Sequence, residues 1–213
     1  PVSSMTPVEF RRALHRRPEL SFQEHETQQF IIDALHSESI PYRAIAGTGV
    51  LAVIEGKRGN HERAVVLRAD IDALPIEELN DFEYRSENKG VMHACGHDMH
   101  AAILFGVLQS LNRERNFEGT LFGIFQPGEE LNPGGASLVL KEEPFKGYDV
   151  AAVIGEHVDA RLEVGEIGIC PGRFMASNDE LRYYVRGRGG HAARRAEIDD
   201  SVTAMAEMVM RTT

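Results

Sequence analysis

The chain has 213 residues, carries 33 acidic side chains against 23 lysines and arginines for a net charge of -10, and is 42% hydrophobic. That is enough apolar content for a core in one full domain and the start of another, while the acidic balance argues against a surface built to displace counterions from nucleic acid. No apolar run approaches the roughly 20 residues a membrane-spanning helix needs, and the opening residues show no basic stretch followed by an apolar one.

Near the N-terminus, Thr6-Pro7-Val8-Glu9 and Ser21-Phe22-Gln23-Glu24 both fit a capping box, in which a hydroxyl and a carboxylate satisfy free N–H groups at a helix end. After the second, Phe30, Ile31, Ala34 and Leu35 form an apolar stripe at helical spacing. Strands and helices then alternate, the pattern of a sheet covered by helices. Strands are expected at Val50–Glu55, Ala64–Ala69, Thr120–Phe125 and Val150–Ile154, with the last three read as buried. A helix is expected after Asp98 with Ile103, Leu104, Val107, Leu108 and Leu111 on its core side, and another after Gly134-Gly135. Around residues 171–177 the character changes. Asp179–Val185 alternates like a strand, Gly187–Gly190 breaks it, and Asp199-Asp200-Ser201 can cap a final helix. A boundary near residue 175 therefore divides a domain over 1–175 from a segment over 176–213 that is too short to be an ordinary independent domain.

Polar residues gather where the predicted buried strands end: Asp70 and Asp72 after one, Glu129 and Glu130 after the next, His157 after the third. In open sheets of this kind ligands bind beyond the carboxyl ends of the strands, so these groups are expected to converge. The loop entering the next helix adds one thiol, three imidazoles and one carboxylate between His93 and His100. Taken singly, His157 reads as a surface histidine, Glu129-Glu130 as a solvated turn and Cys95 as a small core residue. Together they form a borderline-soft donor set suited to Zn²⁺, Mn²⁺ or Co²⁺. Adjacent glutamates point in different directions, so one can hold metal while the other faces bound water and moves its proton. Only two cysteines, Cys95 and Cys170, are present, too few for a disulfide framework. A reducing, cytoplasmic setting is expected.

Five ordered motifs carry a resemblance: RADIDALP at 68–75, MHACGHDMH at 92–100, QPGEE at 126–130, GEHV at 155–158 and GRGGHAA at 187–193, with HRRPEL at 15–20 before them. The chain resembles the co-catalytic metallopeptidase family, in the branch of hippurate hydrolases, N-acetyl-diaminopimelate deacetylases and auxin-conjugate hydrolases. That resemblance implies an α/β fold: a zinc-peptidase-like catalytic domain with a helix-covered mixed sheet, then the beginning of a small α+β lid and dimerisation domain. It implies Cys95, His97, Glu130 and His157 as ligands of two divalent metal ions and Glu129 as general base and acid. Asp70 would orient the site, and His191 on the lid would help stabilise the oxyanion. The implied substrate is an N-acyl amino acid, cleaved at its amide bond, and the implied assembly a homodimer, with no nucleic-acid or membrane partner. The family's catalytic domain resumes after the lid with one further histidine ligand, so the 213 residues are expected to be part of a longer protein. Two other readings remain open on the residues: a cysteine hydrolase with Cys95 as nucleophile and a histidine of the same loop as its base, and a non-catalytic metal-binding relative lacking the C-terminal ligand.

Overall fold

A computed structural model describes residues 5–176 and 180–212. The chain falls into two compact units, one running through Arg161 and the other beginning at Leu162, so the expected boundary near 175 lies inside the second unit.

In the first unit, α1 (Pro7–Arg16) starts with the capping box read from the sequence. The Thr6 hydroxyl accepts from Glu9 N, and the Glu9 carboxylate accepts from Thr6 N. Such a box stabilises a helix start by about 1 kcal/mol. The second box does not form. The helix α2 (His25–Ser37) has no side-chain cap of its own; Glu19 accepts from Glu26 N and Thr27 N instead. Glu24, expected to cap, turns inward and is fully buried. The apolar stripe on α2 enters the core through Ile31, Ala34 and Leu35.

Five strands follow: β1 (Tyr42–Ile45), β2 (Gly49–Glu55), β3 (Arg63–Asp70), β4 (Thr120–Gln126) and β5 (Asp149–Gly155), in the order β1-β2-β4-β3-β5. β1 is short and was not apparent from periodicity. β3 runs parallel to both β4 and β5, while β1 and β2 are antiparallel additions, so the sheet is mixed as expected. Asp70 lies opposite Gln126 and Arg68 opposite Gly155, which brings the carboxyl ends of three strands to one edge.

The helix α3 (His97–Glu114) crosses between β3 and β4, and α4 (Gly135–Lys141) between β4 and β5. One core gathers α1, α2 and α3 on one face of the sheet around Phe10, Ile31, Phe105 and Phe125; the other lies on the α4 face around Phe122, Ile124 and Val139. Phe10 and Phe105 stack at 4.4 Å between ring centroids, and deletion of either ring would cost about 3–5 kcal/mol.

Two expectations on burial need correction. The core side of α3 is Ala101, Leu104, Phe105 and Leu108, whereas Ile103, Val107 and Leu111 face outward. The helix is apolar on more than one face, and periodicity alone could not choose the one that meets α1 and the sheet. β5 has the apolar composition of a buried strand, yet among the described residues it lies at the sheet edge with Val153 66% and Ile154 53% exposed. An apolar run gives a strand its composition but not its neighbours.

In the second unit α5 (Ser201–Thr212) begins at Asp200, whose carboxylate accepts from Val202 N, Thr203 N and the Thr203 hydroxyl. Of the alternating segment predicted at 179–185, Asp179 lies outside the described residues and 180–185 form no strand. No partner strand for 180–185 exists among the described residues, and an alternating pattern needs one to pair. No described helix is long and apolar enough to cross a membrane.

Candidate metal centre

The site is built from the ends of β3, β4 and β5 and the first turn of α3. Asp70 closes β3 and Asp72 follows two residues later. The period of an extended chain sends both carboxylates the same way, and both are 1% exposed.

Asp70 is held by two donors. Arg68 Nη1 lies 2.8 Å from Oδ2 and His100 Nδ1 lies 2.6 Å from Oδ1, while His97 Nε2 approaches Oδ2 only to 3.6 Å, beyond hydrogen-bond distance. The His100 tautomer follows from its other nitrogen: Nε2 accepts from Val158 N at 3.0 Å, so Nδ1 carries the proton and donates to Asp70. His100 thereby ties the end of β3 to the segment after β5. Burial would raise the Asp70 pKa, but these partners outweigh it and lower it.

Asp72 is a junction. Oδ1 accepts from His97 Nδ1 at 3.2 Å, and Oδ2 accepts both from Glu130 N at 2.9 Å and from the Ser21 hydroxyl at 2.7 Å. Against the upward push of burial, the bonds from His97, Glu130 N–H and Ser21 hold its pKa down at about 2.

His97 is 1% exposed. With Nδ1 bonded to Asp72, its Nε2 is buried without a hydrogen-bond partner, 3.7 Å from Glu130 Oε1 and 3.9 Å from Glu129 Oε2. A carboxylate–histidine pair with the far nitrogen unpaired and aimed at acidic groups is how metal-bound imidazoles are oriented. On the open side His157 donates through Nδ1 to its neighbour's carbonyl, Val158 O, at 2.8 Å, leaving its Nε2 lone pair 3.4 Å from Cys95 Sγ.

Donor atoms of Cys95, His97 and His157 lie within 4.8 Å of one another, and so do those of His97, Glu129 and Glu130. Both groups share His97, so the residues predicted as ligands, and Glu129, meet around one buried imidazole. Asp70, His97 and His100 form a third, fully buried group. The set combines sulfur, nitrogen and oxygen and fits divalent cations of the zinc, manganese and cobalt kind. Its electrostatics agree. Burial and the charges of Glu130, Asp70 and Glu129 push the Cys95 thiol up to about 12, and burial with Glu130 and Asp70 raises the Glu129 pKa. A cation placed among these groups would reverse both effects.

Two glycines let backbone come close. Gly96, at φ +89°, caps α3 where a Cβ would lie 2.6 Å from Val158 Cγ2, and Gly128, at φ +57°, leaves no room for a Cβ above the Phe22 ring. Side chains at either position would displace the loops carrying Cys95 and Glu129.

His191 belongs to the second unit, where it is exposed and its Nδ1 accepts from Ala193 N at 3.2 Å. Glu156, beside His157, is also exposed. The sequence reading noted Asp72 but gave it no role, and missed Ser21, Glu24 and His15 as supports. The HRRPEL motif was the signal pointing toward that N-terminal segment.

Residues 66–213 match the family described as Peptidase family M20/M25/M40. An N-acyl-L-amino acid amidohydrolase of Geobacillus stearothermophilus is 42% identical over 204 residues, 95% of this chain and 54% of that protein. An uncharacterised hydrolase of Sinorhizobium fredii is 41% identical over 205 residues, 95% of this chain and 50% of its own length. Among solved structures, the YXEP protein of Bacillus subtilis, a dinuclear metal binding peptidase of the M20 family, matches with a TM-score of 0.73 and 42% identity. That match covers 78% of this chain and 46% of the YXEP chain. The chain thus spans about half the length of the curated relatives it matches. With its matched residues running from within β3 through the second unit, and with near-complete alignment to these hydrolases, the chain belongs to peptidase family M20/M25/M40.

Proposed function

We propose that the protein of which this chain forms part is a metal-dependent amidohydrolase that cleaves the amide bond of N-acyl amino acids. The observation that carries the reading is the buried His97 Nε2, unpaired and facing Glu129 and Glu130 beside Cys95 and His157. The names of the amidohydrolase and dinuclear peptidase relatives support the same chemistry.

Two divalent ions, Zn²⁺, Mn²⁺ or Co²⁺, would be held by Cys95, His97, Glu130 and His157, and when bound would supply an acidified water and polarise the acyl oxygen. Glu129 is the proton carrier: its carboxylate takes the proton of the attacking water and delivers it to the departing amine. Its raised pKa suits that exchange. Asp70 and Asp72 hold the imidazoles in place from behind. His191, on the segment 176–213 that begins a lid and dimerisation domain, donates to the oxyanion. The products are a carboxylic acid and a free amino acid. We place the protein in the cytoplasm as a homodimer.

The test is elemental analysis of the protein joined to a release assay on N-acetyl and N-benzoyl amino acids. Bound transition metal, turnover abolished by chelation and turnover restored by added metal are the expected results. Absence of both metal and release would refute the reading. The Cys95 Sγ to His157 Nε2 distance of 3.4 Å gives a cysteine-nucleophile hydrolase one supporting observation. A thiol pushed up to about 12 is a poor source of thiolate, however. Turnover indifferent to chelators but lost on alkylation would favour that reading instead.

A further inference from the structure

The turn between α1 and α2 reaches the back of the site at several points. Ala73 N donates to Glu19 O at 2.8 Å, and Leu20 forms a parallel bridge to Ala73. The Phe22 ring lies under Gly128, and the buried Glu24 carboxylate accepts from Gly128 N at 2.8 Å and from the Thr48 hydroxyl. Between them Ser21 donates to Asp72 Oδ2 at 2.7 Å. The loop that carries Asp72 and the loop that carries Glu129 and Glu130 are therefore both seated on this one turn.

We propose that Ser21 is a positioning residue for the cation site, acting through Asp72 to fix the His97 ring and the backbone of Glu130. Asp72 has three donors to satisfy it, and each belongs to a different segment: Ser21 from the N-terminal turn, His97 from α3, Glu130 from the loop after β4. The Asp72 side chain is fully buried, so bulk water has no access to replace a missing donor. Without the hydroxyl, Oδ2 keeps only the Glu130 N–H, and the carboxylate is free to turn about its Cα–Cβ and Cβ–Cγ bonds. Its hold on His97 Nδ1, already 3.2 Å long, loosens, and the direction of Nε2 is no longer fixed. The backbone of Glu130, whose carboxylate lies 3.7 Å from that nitrogen, moves with it. Groups that orient metal-binding imidazoles in this way are worth about ten- to a hundred-fold in affinity.

This inference rests on the metal reading above, and its test separates the two. Zn²⁺ binding to the full chain is measured by competition with a chromophoric chelator for the wild type, Ser21→Ala and Ser21→Thr, and melting of each metal-free protein is followed in parallel. The expected result is a loss of about ten-fold or more in Zn²⁺ affinity for Ser21→Ala, with Ser21→Thr close to wild type because it keeps the hydroxyl. Metal-free melting should shift by no more than ~4 °C. Ser21→Ala binding Zn²⁺ as the wild type does, or Ser21→Thr losing as much as Ser21→Ala, would overturn the role of the hydroxyl. Wild-type protein that binds no Zn²⁺ would overturn the metal reading itself, and this inference with it.

Discussion

Asp70, Asp72, His97 and His100 are each at most 1% exposed and bonded to one another or to neighbouring segments, whereas Glu129, Glu130 and His157 open toward solvent and Cys95 is only half-buried. The inner half is a packed polar network that the protein satisfies almost entirely by itself. The outer half consists of side chains that have few partners but share one direction. Buried networks tolerate no missing member, because a stranded charge cannot reach water. Exposed donors can be changed with little effect on folding. Stability should therefore reside in the inner half and chemistry in the outer half.

The largest expected effect is that of His97→Ala, which belongs to both. It should abolish metal uptake and also take one partner from the buried Asp72 and a nearby positive group from Asp70, costing about 3–5 kcal/mol in a urea unfolding experiment on metal-free protein. Unfolding unchanged from wild type would break the comparison. Next in size, Glu129→Gln should lower kcat by about 10²–10⁴ while leaving metal content and metal-free melting unchanged. Retained turnover would remove Glu129 from its assigned role. Smaller in its expected effect on rate than on binding, Cys95→Ser or His157→Ala should weaken Zn²⁺ binding by about 100-fold, yet change metal-free stability by less than about 0.5 kcal/mol.

The smallest effect concerns pH and a support further back. His15 Nδ1 lies 2.8 Å from Asp98 Oδ2, and its Nε2 lies 3.1 Å from Glu78 Oε1, so the ring sits between two carboxylates. Burial alone would lower its pKa, but the hydrogen bonds to Asp98 and Glu78 outweigh that and raise it above 6.5. A raised folded-state pKa means that the stabilisation is fully present below the unfolded value and is lost as pH climbs through the folded one. Metal-free wild type should thus lose stability relative to His15→Gln as pH rises from about 6.5 upward, read as the difference in urea midpoints. A constant difference across that range would show that the ring's charge does not contribute.

The motif residues were legible because their chemistry is local: Cys95 and His97 share one loop, Glu129 and Glu130 adjoin, and Asp70 ends an apolar run. The parallel strands followed from the same apolar runs, and their carboxyl ends then had to share an edge. Harder to read were the features that depend on a distant partner. Ser21 and Glu24 carry a plausible capping signature, yet their oxygens bond Asp72 and Gly128. Ile103, Val107 and Leu111 have helical spacing, yet the face containing Phe105 is the one that packs.

The sequence by itself determined which donors exist, which of them lie at strand ends and that their combined charge suits a cation, since these depend on residue type and short-range spacing. Only the tertiary structure decided that His97 is the shared centre, that Asp72 joins three segments behind it and that β5 lies at an edge. Those outcomes depend on which remote surfaces pack together, and no local pattern encodes the identity of a partner many residues away.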